Sequence, residues 1–289
     1  MSSAPVVSVV IPAKDARHLI GHQLAALAQQ TMRDFEVVVA DNGSVDGTAD
    51  VVRGAGGTLD LRVVDASQRP GVSHARNVGA RHARAPKILF CDADDIVDPG
   101  WVAAMSDALD TDDLVGGHLE VTRVNPPEVL AWGGSPTASG LPVTMGHLPY
   151  AVGANLGVRR AVFDVVGEFD ESYVGGHEEV DLAWRTQHAG MSLGFAPDAV
   201  VHYRLRDSLR ATCRQRFWYG RSYAQLYRSF RHEGIPRTPL ALELRFYAVL
   251  LRSLPRDIRH DRFGHWLVTA AWTAGRLAGD VRYRVRSPL

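Results

Sequence analysis

Short, unbroken apolar runs rich in β-branched residues alternate with amphipathic segments along the first part of the chain. The runs cover residues 6–11, 35–40, 61–64 and 88–91. An apolar run of about four to eight residues, bounded by turn residues, predicts a strand that is covered on both faces. The segments between the runs carry apolar residues at helical spacing. The pattern therefore predicts an α/β fold, in which helices flank a mostly parallel central sheet.

The second part of the chain is less regular. Residues 113–124 predict one or two strands, whereas residues 129–150 are rich in Gly and Pro and predict a long loop. Three amphipathic helices are then predicted, within residues 208–231, 240–254 and 263–277. The apolar side of each helix is interpreted as a packing face, with contact to a membrane as the alternative.

The sign of the net charge changes between residues 203 and 204. Residues 1–203 carry 14 basic and 26 acidic side chains, whereas residues 204–289 carry 18 basic and 6 acidic ones. We expect an α/β domain over residues 1–205 and a basic helical extension over residues 206–289. The extension predicts a polyanionic partner, for which an anionic membrane is one candidate. No nucleic-acid motif accompanies the charge, so nucleic acid is not expected. A solvated face that pairs with the acidic body is the alternative.

The remaining composition limits the class of protein. Cys91 and Cys213 provide neither a disulfide framework nor the spacing of a metal site. The N-terminus lacks the order of a signal peptide, and no apolar run reaches about 18 residues. We therefore expect a cytoplasmic protein, peripheral on the membrane face if the extension binds lipid.

Carboxylates follow three of the predicted strands. Asp15 and Asp41 follow the first two, and the cluster Asp92, Asp94 and Asp95 follows the fourth. The carboxyl ends of parallel strands lie at one edge, where open α/β folds bind ligands. Clustered carboxylates raise one another's pKa unless a cation joins them, and oxygen ligands suit Mg²⁺ or Mn²⁺. The pattern predicts a divalent ion held for a phosphate-bearing ligand, with an Asp-rich turn as the alternative.

Seven short motifs follow one another in a specific order. They are VVIP at 9–12, DNGSVDGT at 41–48, ARNVG at 75–79, CDADD at 91–95, GANL at 153–156, VGEFDE at 166–171 and EEVDLAWR at 178–185. This order resembles the family 2 glycosyltransferases with the GT-A fold, over about residues 5–205. The resemblance implies a metal-dependent, inverting transfer of a sugar from a nucleoside-diphosphate sugar to an acceptor hydroxyl.

The resemblance implies donor-binding roles for several residues. Asp41 would hydrogen-bond the nucleotide base, with Pro12 and Asp15 beside the nucleoside. Asp92 and Asp94 occupy the DxD pair of the family, so Asp94 would ligate Mn²⁺ or Mg²⁺ and Asp92 would lie near the ribose. Arg76 and Arg185 are assigned to binding of the donor, and His202 is assigned to the metal. A structural ion pair for Arg185 and a hydrogen-bonded strand-end histidine for His202 are the alternatives.

Glu178 and Glu179 stand where the family often has Glu-Asp. The second position usually supplies the general base, which implies Glu179, although the longer side chain leaves Glu178 open. The donor would be a UDP, GDP or dTDP sugar. The acceptor would be a glycan or a lipid-linked molecule, as in cell-envelope synthesis. Two other functions are considered, a catalytically silent nucleotide-sugar-binding module and a nucleotidyltransferase. The latter normally has a Gly/Lys-rich phosphate loop after the first strand, and residues 12–15 do not resemble one.

Overall fold

The computed structural model describes residues 4–55, 57, 59–132, 140–259 and 262–289. The strands are β1 (Val7–Ala13), β2 (Phe35–Asp41), β3 (Asp60–Asp65), β4 (Lys87–Cys91), β5 (Ile96–Val97), β6 (Leu114–Glu120), β7 (Asn155–Arg159) and β8 (Leu193–His202). The helices are α1 (Ile20–Ala28), α2 (Thr48–Gly54), α3 (Val72–His82), α4 (Trp101–Thr111), α5 (Pro127–Leu130), α6 (Arg160–Val166), α7 (Glu178–His188), α8 (Leu209–Phe230), α9 (Leu240–Arg259) and α10 (Phe263–Tyr283).

One sheet contains all of these strands, in the order β3-β2-β1-β4-β7-β6-β8-β5. Strands β1 to β4 pair in parallel, β7 runs antiparallel to β4 and β6, and β5 runs antiparallel to β8. The prediction of a mostly parallel sheet flanked by helices is therefore confirmed. The predicted loop at 129–150 begins within α5 and includes a bridge between Val143 and Pro149, and residues 133–139 of it lie outside the described part.

Strand β1 is longer than predicted, because it continues through Pro12 to Ala13 instead of ending at the proline. Pro12 pairs with Ala40 of β2, whereas the pairing of β1 with β4 ends at Val10. One side of β1 is thus unpaired at Pro12, and a residue without an N–H is tolerated there.

Side chains from alternate positions of the strands build a core on each face of the sheet. Val9 and Ile11 pack with α1 and α4 on one face, and Val10 packs with α3 on the other. This alternation is the period of two that a strand imposes. Both faces are covered, which accounts for the unbroken apolar runs in the sequence.

A third core joins the C-terminal helices to the sheet domain. Val180 and Trp184 of α7 pack against Tyr223, Tyr227 and Phe230 of α8. The division at residues 205 and 206 stays a prediction, but α8 shares a core with α7. Within the described residues, no helix combines the length and the apolar character that crossing a bilayer requires.

Helices α8 and α10 approach each other closely at three glycines. A Cβ atom on Gly275 would lie 1.9 Å from the carbonyl oxygen of Phe217, and one on Gly220 would lie 2.0 Å from that of Trp272. Gly279 similarly faces the carbonyl oxygen of Arg221 at 2.6 Å. The two backbones are therefore in contact, and side chains at these positions would force them apart.

We expect Gly275→Ala to lower the free energy of unfolding by about 3 kcal/mol, because the added methyl overlaps backbone that cannot rotate away. Gly21→Ala in α1 is the control, since no atom lies within 4 Å of its added Cβ. That variant should be more stable by about 0.5–1 kcal/mol. Urea denaturation measures both, and equal stability of the two variants would contradict the close packing of α8 on α10.

Candidate active site

The carboxyl ends of β1, β2 and β4 bring together several predicted donor-binding residues. Pro12 lies in β1, Asp15 follows it, Asp41 ends β2 and Asp92 follows β4. The two loops after β1 and β2 are hydrogen-bonded to each other and to their strand ends. Ser44 Oγ accepts from the amide of Asp15 at 3.0 Å, and the amide of Ser44 donates to Asp41 Oδ1 at 2.9 Å. The predicted nucleoside-binding residues therefore lie on one edge of the sheet.

Arg76 of α3 is the most buried cation of this edge, with 3% of its surface exposed. Its Nη1 donates to Glu178 Oε1 at 2.8 Å, and its Nη2 donates to Asp92 Oδ1 at 3.1 Å. Gly153 leaves room for the guanidinium, since a Cβ there would lie 2.9 Å from both Nη atoms. A buried charge requires such partners. Arg76 thus joins α3, the end of β4 and the start of α7.

Asp92, Asp94 and Asp95 form a tight cluster, with one carboxylate oxygen of each within 4.8 Å of the others. Asp95 is buried, and its Oδ1 accepts from the amide of Arg204 at 2.7 Å, whereas its Oδ2 has no hydrogen-bond partner. Burial and the charge of Asp92 raise the pKa of Asp94. Burial and both neighbours raise the pKa of Asp95 well above its usual value. A divalent cation would relieve both effects, so this oxygen-only set fits Mg²⁺ or Mn²⁺.

Glu178 and Glu179 begin α7 but have different surroundings. Glu178 is buried and bound by Arg76. Burial, followed by the charge of Glu178, raises the pKa of Glu179 to about 8. The preceding loop turns sharply, with positive φ at Gly175, Gly176 and His177. This turn points the two carboxylates to different sides of the helix start, one inward to Arg76 and the other to a cavity wall.

Two cavities adjoin at the start of α7. One has a volume of about 580 Å³, and its polar lining includes Arg76, Asp92, Glu178, Arg206 and Arg214. The other has a volume of about 380 Å³, and its lining includes Glu179, Tyr150, Tyr223, Arg216 and Trp272. Both are bordered by Gly176, Tyr203, Gln215 and Tyr219. We call them the aspartate cavity and the Glu179 cavity. Asp92 and Glu179 therefore face neighbouring cavities that share a wall.

Three lining residues of the aspartate cavity were missed by the sequence analysis. Arg206 and Arg214 line it, and Arg206 Nη1 lies 3.4 Å from Asp94 Oδ2. Tyr219 of α8 borders both cavities. The sequence signal for the two arginines was the excess of arginine after residue 203, for which an external partner was predicted. Part of that charge is directed into the candidate site instead.

Arg185 lies apart from the candidate site. Its Nε donates to Asp181 Oδ2 at 2.8 Å, and its Nη2 donates to the carbonyl oxygen of Glu168 at 2.9 Å. These contacts tie α7 to the segment after α6. The predicted role in donor binding is not supported by this position, and the alternative of a structural ion pair describes it.

His202 also lies outside the carboxylate cluster. Its Nδ1 is 2.8 Å from Glu120 Oε2, and its Nε2 is 3.0 Å from Asp98 Oδ1. Both ring nitrogens are therefore engaged, and Arg123 Nη1 also lies 2.7 Å from Nε2. These contacts fit the alternative, a hydrogen-bonded histidine at the end of β8, and the role of His202 as a metal ligand stays a prediction.

Comparison with known proteins decides the family. Residues 8–167 match the family described as Glycosyl transferase family 2. The chain belongs to this family. It is 32% identical over 206 residues to glycosyltransferase AglE of Haloferax volcanii, covering 69% of this chain and 67% of AglE. It is 33% identical over 228 residues to the validoxylamine A glucosyltransferase of Streptomyces hygroscopicus subsp. jinggangensis, covering 66% of this chain. The family 2 chain spans about half, 54%, of that relative's length.

Solved structures share the fold of this family 2 chain. The mannosyltransferase PcManGT from Pyrobaculum calidifontis, solved with GDP-Man and Mn²⁺, gives a TM-score of 0.59 at 21% identity, covering 97% of this chain and 76% of PcManGT. S. aureus TarS 1–349, solved with UDP-GlcNAc, gives 0.57 at 18% identity, covering 96% and 91%. The predicted family and the predicted GT-A fold are both confirmed.

The raised pKa of Glu179 predicts a pH-dependent stability. Folding raises this pKa from 4.5 to about 8, so the folded state favours the protonated form. The contribution of Glu179 to stability is fully present below pH 4.5 and is lost as the pH rises through about 8. Glu179→Gln removes this titration. Urea denaturation across this range should show wild type losing stability relative to the variant, and parallel profiles would contradict the assignment.

Proposed function

We propose that this chain is an inverting glycosyltransferase that moves a sugar from a nucleoside-diphosphate sugar to an acceptor hydroxyl. The observation that carries the proposal is the pair of adjoining cavities, with Asp92 facing one and Glu179 facing the other. Donor and acceptor would occupy these cavities, so that the leaving group and the base act on opposite sides of the sugar. The family, and the nucleotide sugars bound by PcManGT and TarS, support the reaction class.

On the donor side, Asp41 would hydrogen-bond the base, with Pro12 and Asp15 beside the nucleoside. This assignment is supported by their common position at the edge of the sheet. In the aspartate cavity, two exposed arginines would attract the diphosphate, and Asp92, which the resemblance placed near the ribose, is assigned to the metal cluster instead. The two arginines are Arg206 and Arg214, and their guanidinium groups suit phosphate oxygens. The donor would be a UDP, GDP or dTDP sugar.

Asp92, Asp94 and Asp95 would hold the divalent ion, Mn²⁺ or Mg²⁺. The unpaired oxygen of Asp95 and the raised pKa values of Asp94 and Asp95 support this assignment, because both describe carboxylates whose charge the neighbouring arginines do not fully balance. A bound ion would neutralise the negative charge that develops on the departing diphosphate. Arg206, 3.4 Å from Asp94, would supply additional positive charge next to the same group.

Glu179 would act as the general base. A pKa of about 8 makes the ionised carboxylate a stronger proton acceptor than an ordinary glutamate. The proton of the acceptor hydroxyl would pass to this carboxylate while the oxygen attacks the sugar. Glu178 is less suited to the role, because it is buried and bound by Arg76.

The Glu179 cavity favours an acceptor that carries a ring. Its wall contains several aromatic side chains, namely Tyr150, Tyr203, Tyr219, Tyr223 and Trp272. Aromatic rings of this kind bind the apolar faces of rings, and the tyrosine hydroxyls can hydrogen-bond. The acceptor would therefore be a glycan or the terminal sugar of a lipid-linked molecule, as in cell-envelope synthesis.

We expect Glu179→Gln to lower the rate of transfer by about 10²–10⁴-fold, because the amide cannot accept the proton. Donors are first chosen by thermal shift from a panel of nucleotide sugars with Mn²⁺. The assay then measures release of the nucleoside diphosphate, with water or a simple sugar as acceptor. Release of pyrophosphate instead would indicate a nucleotidyltransferase.

The control for this experiment is Glu168→Gln, since Glu168 pairs with Arg81 outside both cavities. The control should retain wild-type turnover, and Glu179→Gln should retain the donor-induced thermal shift. Unchanged turnover in Glu179→Gln would refute the base assignment. Donor binding without turnover in wild type would favour a silent nucleotide-sugar-binding module.

Metal binding is tested by a thermal-shift measurement that does not depend on enzyme activity. We expect Mn²⁺ to raise the melting temperature of wild type by roughly 5 °C at saturating concentration. Asp94→Asn should largely abolish this shift because it removes one of the clustered carboxylates. Asp110→Asn is the matched control, because Asp110 pairs with Lys87 at the opposite end of β4. Equal shifts in the two variants would disprove the site, as would full turnover of wild type in EDTA.

A further inference from the structure

The outer face of α9 carries an exposed apolar stripe, formed by Leu240, Leu244, Leu251 and Ile258. Their intervals of four and seven residues place them on one side of the helix. Their exposed fractions lie between 55% and 70%. Among the described residues, sixteen large apolar side chains are exposed, and six of these belong to α9. Exposed apolar surface is thus concentrated on this helix.

The stripe is not the face by which α9 is attached to the protein. The attachment uses the inner side, where Glu243 accepts from Arg276 Nη1 at 3.1 Å and the carbonyl oxygen of Leu250 accepts from Trp266 Nε1 at 2.7 Å. The apolar faces of α8 and α10, by contrast, pack against the protein and each other. The stripe of α9 was predicted to be a packing face. Within the described residues, however, no element covers it.

Three exposed arginines lie about 100° around the helix from the stripe, on the side nearer Leu242 and Val249. Arg245, Arg252 and Arg256 are exposed, and Arg256 Nε lies 3.6 Å from Asp257 Oδ1. The two carboxylates of the helix are turned inward. Glu243 is 5% exposed and is also bound by Arg286, and the side chain of Asp257 is 13% exposed. The outer surface of α9 is consequently apolar and cationic.

We propose that α9 lies on the surface of an anionic bilayer, with the stripe in the acyl region and the arginines at the lipid phosphates. An apolar stripe with a cationic border is the form of a helix that binds in the plane of such a membrane. The charge argues against a second copy of this chain as the occupant. A two-fold contact through the stripe would bring the arginines of both copies together. The proposal is independent of the glycosyltransferase reaction.

The test is sedimentation of the full chain with vesicles. One set is phosphatidylcholine, and the other is phosphatidylcholine mixed two to one with phosphatidylglycerol. We expect binding to the anionic set, weakened by salt. Leu244→Gln with Leu251→Gln should lower the partition coefficient at least about tenfold. Arg245→Gln with Arg252→Gln should lower it by about fivefold for each arginine removed.

The matched control is Leu242→Gln with Val249→Gln. These side chains are 52% and 56% exposed, belong to the same helix and lie on its other side. The control should bind anionic vesicles like wild type, and circular dichroism checks that all variants fold. Absence of binding to the anionic set, or equal loss in the control, would overturn the proposal. So would a concentration-dependent dimer that Leu244→Gln with Leu251→Gln dissociates.

Discussion

The candidate site depends on one buried guanidinium. Arg76 lies between Glu178 and Asp92, which are 102 and 16 residues away in sequence. Removing a charge from water is costly, and the cost is offset here by two charge-assisted hydrogen bonds. Gly79 sets the depth of α3, because a Cβ there would lie 2.3 Å from Val10 Cγ1. The position of Arg76 in turn fixes the start of α7 relative to the end of β4.

The pairing of Arg76 with Glu178 also gives two adjacent glutamates different surroundings. Glu178 is held by Arg76, so it neutralises the guanidinium and faces inward. Burial and the neighbouring charge of Glu178 raise the pKa of Glu179 to about 8, against the opposing effect of Arg76. Glu178 therefore fixes the start of α7, and Glu179 is suited to the proposed role of proton acceptor. The C-terminal helices complete the arrangement, since α8 contributes Gln215 and Tyr219 to the wall between the two cavities.

The sequence predicted much of the fold and of this edge, because these features have local signals. Apolar runs marked the buried strands, and Asp92, Asp94 and Asp95 stood together at a strand end. The roles of residues whose partners lie far away in sequence could not be predicted from such local signals. Arg185 and His202 resembled family residues, but in the structure Arg185 binds Asp181, and His202 binds Glu120. Periodicity likewise predicted the helix α9, although it does not indicate whether another element covers the apolar side.

The most direct test of the central claim is a crystal structure of the chain with Mn²⁺ and a nucleotide sugar, using anomalous diffraction to locate manganese. We expect an anomalous peak bound by Asp92, Asp94 and Asp95, with the intact Arg76 pairs beside it. The sugar should then lie between this peak and the carboxylate of Glu179. A peak elsewhere, or a sugar whose reactive carbon is not open to Glu179, would contradict the account.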